Sequence, residues 1–162
     1  MAHQEIRSYD YVNHPYARVR ELVVVDPIVI FAVATRATAH RARELASELR
    51  ATVGGVDVAA EVVISVGAIE DDASGPHGGP ATRIPVSWQA AKHPGLFPLM
   101  NGVLTIYPLT ATETQLDFLG RYDPPLGVVG SAVDALMGHR IAEASVHRFI
   151  GDVAQYLRDA GA

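Results

Sequence analysis

Four stretches in the middle of the chain alternate apolar and polar residues, which is the pattern of β-strands with one buried face. Turn residues separate them: Glu70-Asp71-Asp72 with the loop 74–80, then 92–95, then 110–112. One apolar and one mixed face per strand predicts an antiparallel sheet with a core on one side. The positions that share the apolar faces are, in chain order, Val56, Val58, Ala60, Val62, Ile64, Val66 and Ala68; Thr82, Ile84, Val86, Trp88 and Ala90; Met100, Leu104 and Ile106; Leu116, Phe118, Gly120 and Tyr122.

The remaining elements are predicted on either side of these strands. Residues 3–12 alternate more loosely and predict a further strand, and Asn13-His14-Pro15 then starts a short helix over 16–24. Asp26-Pro27 repeats this start signal, so we predict a second helix over 27–50, although residues 28–33 are mostly β-branched. Residues 131–159 contain no proline and predict one helix of roughly 42 Å.

The element order β-α-α-β-β-β-β-α predicts an α+β fold in which a curved antiparallel sheet of about five strands is covered by the long C-terminal helix. This order resembles the START-like or Bet v 1-like superfamily, also called SRPBCC, and is similar to its uncharacterised actinobacterial members. The most similar residues are Trp88, the segment Phe97-Pro98-Leu99-Met100-Asn101-Gly102, the segment 120–127, and Gly138-His139-Arg140-Ile141-Ala142. The resemblance implies a helix-grip fold with a deep cavity for an apolar ligand. It transfers no catalytic residue, because the superfamily shares no catalytic motif.

Composition narrows the function classes. The 162 residues are 49% hydrophobic and carry a formal charge of −5, which predicts one globular domain over 1–162 without a basic field for nucleic acid. The absence of cysteine excludes disulfides, Cys-ligated zinc and thiol nucleophiles. The first ten residues contain no apolar leader segment and no stretch is long enough to span a bilayer, so we expect a cytoplasmic protein without membrane insertion.

The long helix carries the candidate chemistry. Its apolar stripe Val146, Ile150, Val153 and Leu157, continued backwards one turn at a time, reaches Glu143 and His139. We therefore predict that both face the interior, where they are the candidate general acid and base. His147 continues their spacing, but no fourth ligand is identifiable, so we predict no metal and no cofactor.

A second apolar stripe on the same helix consists of Val133, Met137 and Ile141. Either a second copy of the chain covers this stripe in a homodimer, or the N-terminal helices cover it, or the helix rotates at Gly138.

Three functions remain open. The first is binding or transport of a hydrophobic or aromatic small molecule without chemistry, because an apolar interior with few polar groups is typical of ligand sites. The second is a polyketide cyclase/aromatase-like enzyme that uses His139 and Glu143, and the third is a ligand-free interaction module. We favour the first, with the ligand site lined by Val62, Ile64, Val86, Trp88, Leu104, Ile106, Phe118, Tyr122 and Leu136.

Overall fold

A computed structural model describes residues 4–34, 62–90, 99–123 and 132–162. The predicted helix residues 35–50, the strand residues 56–61 and the turns at 92–95 and 124–127 lie outside this part of the chain. The elements are β1 (Gln4–Val12), α1 (Tyr16–Val25), α2 (27–34), β2 (Val62–Val66), β3 (Glu70–Asp72), β4 (Ala81–Ala90), β5 (Leu99–Pro108), β6 (Thr114–Asp123) and α3 (Ala132–Gly161).

The strands form one antiparallel sheet with the order β1-β6-β5-β4-β2, and β3 also pairs with β4. The predicted α+β class and the long C-terminal helix are confirmed. Residues 27–34 are helical despite their β-branched side chains, as predicted. No helix in the described ranges is both long and apolar enough to cross a membrane.

The sheet has six strands, one more than predicted. Glu70, Asp71 and Asp72 were expected to form a turn, but they form a strand that pairs with β4. In this pairing Glu70 lies opposite Arg83, and Asp72 lies opposite Ala81. Between β2 and β3 the pairing register shifts by one residue beside Pro85, where the Gly67 amide donates to the Pro85 carbonyl at 2.8 Å. Proline has no amide hydrogen for the ladder, so this edge is interrupted by a bulge and continues as a separate short strand.

The concave face of the sheet is the buried one. Six of the predicted inward positions are buried to within 2% relative exposure: Val86, Trp88, Leu104, Ile106, Phe118 and Tyr122. Ile64 is half-buried against this core, and the side chain of Val62 lies outside the described residues. The alternation therefore identified the correct face of β4, β5 and β6, and of Ile64 and Val66 in β2. Ala68, predicted on the same face, is exposed, because β2 ends at Val66.

Two glycines on the central strands make room for an aromatic ring. Gly102 and Gly120 lie opposite each other on β5 and β6. A Cβ atom on Gly102 would lie 2.3 Å from Phe118 Cζ, and one on Gly120 would lie 2.7 Å from Phe118 Cε1. The Phe118 ring therefore lies flat against the sheet, and the Trp88 ring stacks beside it at 5.8 Å between centroids.

Helix α3 covers the β1 and β6 side of the concave face. Its buried residues are Ala142, Ser145, Val146, Phe149, Ile150, Val153, Ala154 and Leu157. Phe149 lies at the centre of the interior, with its ring 4.8 Å from Trp88 and 5.8 Å from Phe31 of α2. The described interior thus consists of a sheet, a long helix and an aromatic cluster between them.

Candidate ligand-binding site

Hydrogen bonds close one end of this arrangement, where α1 packs against α3 and β5. The Tyr16 hydroxyl lies 2.7 Å from Thr82 Oγ1, and Thr114 Oγ1 donates to the His14 carbonyl at 2.8 Å. The end of α3 is attached here as well, because Arg158 Nη2 donates to the Tyr11 carbonyl at 2.6 Å. We call this the closed end.

The opposite end of the sheet carries a polar trio, formed by Gln4, Tyr122 and His139. Gln4 is the first residue of β1 and pairs with Tyr122 near the end of β6, while His139 lies in the first third of α3. The Tyr122 hydroxyl donates to Gln4 Oε1 at 2.5 Å and lies 2.9 Å from His139 Nδ1. Three elements distant in sequence therefore meet at one phenol, which is itself 1% exposed.

The bonding of the trio determines which nitrogen of His139 carries the proton. A phenol has one hydrogen, and Tyr122 donates it to the Gln4 carbonyl oxygen, which can only accept. His139 Nδ1 must therefore be the donor to Tyr122, so that the neutral imidazole has an acceptor at Nε2. Burial raises the pKa of the Tyr122 phenol above its ordinary value, which keeps its proton in place.

Aromatic rings lie beside the trio in the interior. Tyr122 pairs across the sheet with Met100, which pairs in turn with Trp88. The Tyr122 and His139 rings are 6.0 Å apart, and Trp88, Phe118 and Phe149 follow further inside. A few fixed polar groups next to an apolar, aromatic interior are the usual composition of a small-molecule site.

The prediction that Glu143 faces the interior is wrong. Its side chain is exposed, whereas the neighbouring Ala142 is fully buried. Val146 lies at the centre of the buried stripe. At roughly 100° per residue, Glu143 lies about 60° around the helix axis from Val146. From this position its long polar side chain reaches solvent past the edge strand β1. Of the predicted pair, His139 belongs to the trio, and Glu143 lies outside it on the exposed side of the helix.

His147 has a structural contact in place of the metal role that its spacing suggested. Its Nδ1 lies 2.9 Å from Ser8 Oγ of β1, which attaches the exposed flank of α3 to the edge of the sheet. Among the residues that the structure describes, no three His, Asp or Glu side chains come together as a metal site.

Sequence reasoning missed Gln4. Nothing near Gln4 in the chain indicates a partner, because its neighbour Tyr122 is 118 residues away. Pairing the first strand with the last would have placed these two residues side by side, and that pairing follows from strand order rather than from periodicity. The side chain of Leu136, the remaining predicted lining residue, lies outside the described residues, as do those of Val133, Met137 and Ile141.

The topology decides the fold type. Two helices follow the first strand, the last strand pairs with the first, and the long terminal helix packs across the concave face. The chain therefore has a helix-grip fold. The helix-grip arrangement leaves the trio and the aromatic cluster on the inner side of the sheet.

No family model and no curated protein matches the chain. Solved structures match the chain at low identity over most of their length. An aromatase/cyclase from a Streptomyces species is 11% identical with a TM-score of 0.47, covering 96% of this chain and 94% of that one. A Thermus thermophilus protein is 14% identical with a TM-score of 0.46 over 98% and 100% of the two chains. Norcoclaurine synthase from Thalictrum flavum is 8% identical with a TM-score of 0.45 over 98% and 88%.

Proposed function

We propose that the protein binds an apolar or aromatic small molecule between the sheet and α3, at the end that carries the polar trio. The observation that carries this proposal is the buried Tyr122 hydroxyl, held by Gln4 and His139 beside an aromatic interior. The ligand's apolar body lies toward Met100 and Trp88, and its polar group meets the trio.

The difference between the two ends of the fold supports entry of the ligand at the end that carries the trio. The closed end joins α1, the sheet and the end of α3 through short hydrogen bonds such as Tyr16–Thr82. At the other end, the described residues show one attachment of α3 to the sheet, which is the contact between His139 and Tyr122 in the trio. A polar ligand group can replace one partner of Tyr122, because a phenol accepts as well as donates hydrogen bonds.

Native mass spectrometry of the protein as purified tests the proposal directly. We expect a mass above that of the 162-residue chain, which falls to the chain mass after denaturation and releases a small molecule into the organic extract. A purified protein at the chain mass that also fails to bind any probe in the titration below contradicts the proposal.

The titration uses N-phenyl-1-naphthylamine, a neutral apolar probe, and the emission of Trp88, which is the only tryptophan of the chain. Because Trp88 lies on the proposed path of the ligand and is 1% exposed, its emission should change as the probe binds. Leu104→Ala, which removes an apolar side chain from the same face, should alter the affinity. Leu119→Ala on the opposite, exposed face is the matched control and should not.

A second function, proton transfer to or from the bound molecule, is favoured by one observation. Since His139 Nδ1 donates to Tyr122, Nε2 is left with a lone pair that can take up a proton as a general base. The chemical structure of the extracted small molecule, determined by NMR, separates this function from simple binding, because proton transfer within the molecule leaves its mass unchanged. Catalysis predicts one isomer in His139→Ala protein and another in the unaltered protein, whereas binding predicts the same isomer in both.

A further inference from the structure

Ser145 lies in the middle of α3 and is 4% exposed. Its hydroxyl oxygen is the one buried side-chain nitrogen or oxygen in the described part of the chain that has no hydrogen-bond partner. The other buried polar side chains all have partners: Ser8 with His147, Thr82 with Tyr16 and Asp71, Thr114 with the His14 carbonyl, and Asp117 with Arg7. Ser145 is therefore an exception within an otherwise satisfied interior.

The position of Ser145 on the helix shows which way it faces. His147 contacts β1 from one flank of α3, and Ser145 lies about 160° away from it around the helix, at roughly 100° per residue. Phe149, one turn further along on the Ser145 side, reaches Trp88 at 4.8 Å. Ser145 is therefore on the flank that faces the central strands and the aromatic cluster.

An unpaired buried hydroxyl is unfavourable, since burying it without a partner loses its hydrogen bonds to water. A helical serine often bonds back to the carbonyl four residues earlier, but Ser145 makes no such bond. Alanine would fill nearly the same volume and is the better helix former. A hydroxyl at this place is accounted for by a polar atom that the described residues do not supply.

We infer that Ser145 is a second polar anchor of the ligand site. This inference rests on the proposed function and specifies the class of ligand. Ser145 and His139 are six residues apart, or roughly 9 Å along the helix axis. The ligand is accordingly an elongated apolar molecule with a hydroxyl or carbonyl oxygen near each end, one at the trio and one at Ser145.

The test compares three probes that differ only in hydroxyl groups: naphthalene, β-naphthol and the naphthalenediol with a hydroxyl at each end. Each is measured by displacement of N-phenyl-1-naphthylamine from the unaltered protein, Ser145→Ala, Tyr122→Phe and the control Ser65→Ala, whose side chain is exposed on the outer face of the sheet. In the unaltered protein we expect each added hydroxyl to tighten binding roughly tenfold.

Ser145→Ala should remove the gain in affinity from one hydroxyl of the probe, and Tyr122→Phe should remove the gain from the other. The affinity for naphthalene, which has no hydroxyl, should change less than twofold in Ser145→Ala. The ligand-free Ser145→Ala protein should melt at the same temperature as the unaltered protein or higher. Full discrimination among the three probes in Ser145→Ala, or a lower melting temperature, overturns the Ser145 assignment while leaving the proposed function intact. Failure of the fluorescent probe to bind at all contradicts the proposed function instead.

Discussion

At the scale of single residues, Tyr122 connects more of the molecule than its neighbours do. Its hydroxyl contacts β1 and α3 at once, so Tyr122→Phe leaves both Gln4 and His139 without this partner. We expect the free energy of unfolding to fall by about 1–2 kcal/mol. Urea denaturation measures it, with Tyr9→Phe as the control, because Tyr9 is 68% exposed on the outer face. Equal stability of the two variants would contradict a structural role for the trio.

Ionisation of Asp71 makes the free energy of unfolding depend on pH in the acid range. Hydrogen bonds from Arg20 and from the Thr82 hydroxyl lower the pKa of Asp71 from 3.8 to about 2. Because the folded pKa lies below the unfolded one, the contribution is complete above about pH 4 and is lost as the pH falls toward 2. Asp71→Asn should therefore flatten the acid side of the stability profile between those values. Glu143→Gln, which removes an exposed carboxylate, should leave the acid limb as it is.

At the scale of elements, the packing of the Phe118 ring against the central strands depends on the glycine pair. Gly120→Ala places a methyl group within 2.7 Å of both Met100 Sδ and the Phe118 ring, both of which are confined in the core. We expect a loss of about 1–3 kcal/mol in unfolding free energy. Gly151→Ala on α3 is the control, because no atom lies within 4 Å of its added methyl. That variant should gain roughly 0.5–1 kcal/mol from helix propensity.

Most of the elements could be predicted because the spacing of apolar residues within each segment indicates its secondary structure. The strands from β4 to β6 alternate with period two, and the second half of α3 shows a single apolar stripe. The strand β3 could not be predicted in this way, since Glu70-Asp71-Asp72 has the composition of a turn and is a strand only because Arg83 and its neighbours on β4 pair with it.

The site was predicted less completely for the same reason. His139 and Tyr122 were identified from helix phase and strand alternation, which are local properties of the chain. Gln4 was missed and Glu143 was misplaced because both depend on where the edge strand β1 lies beside α3. Ser145 was missed because a lack of partners is a property of the packed interior and has no pattern in the sequence.

At the scale of the whole molecule, the association state remains a prediction. The stripe of Val133, Met137 and Ile141 predicts a homodimer through the first half of α3. Light scattering should then give twice the chain mass at high concentration, and Met137→Glu should shift the mass toward that of one chain. A single-chain mass for the unaltered protein at every concentration would exclude this interface.

The different attachment of the two ends of α3 has a consequence for amide hydrogen exchange. From Ala142 onward the helix is buried against the sheet and joined to β1 by His147 and Arg158, so its amides should exchange only when the whole domain unfolds. Around His139, the side-chain contact that the described residues show is the one with Tyr122, and a partial opening there should expose amides at a smaller free energy. Exchange mass spectrometry should find two kinetic classes within one continuous helix, and a bound molecule that replaces solvent at the trio should slow the faster class alone. The same opening that admits a ligand would then set the rate at which it leaves.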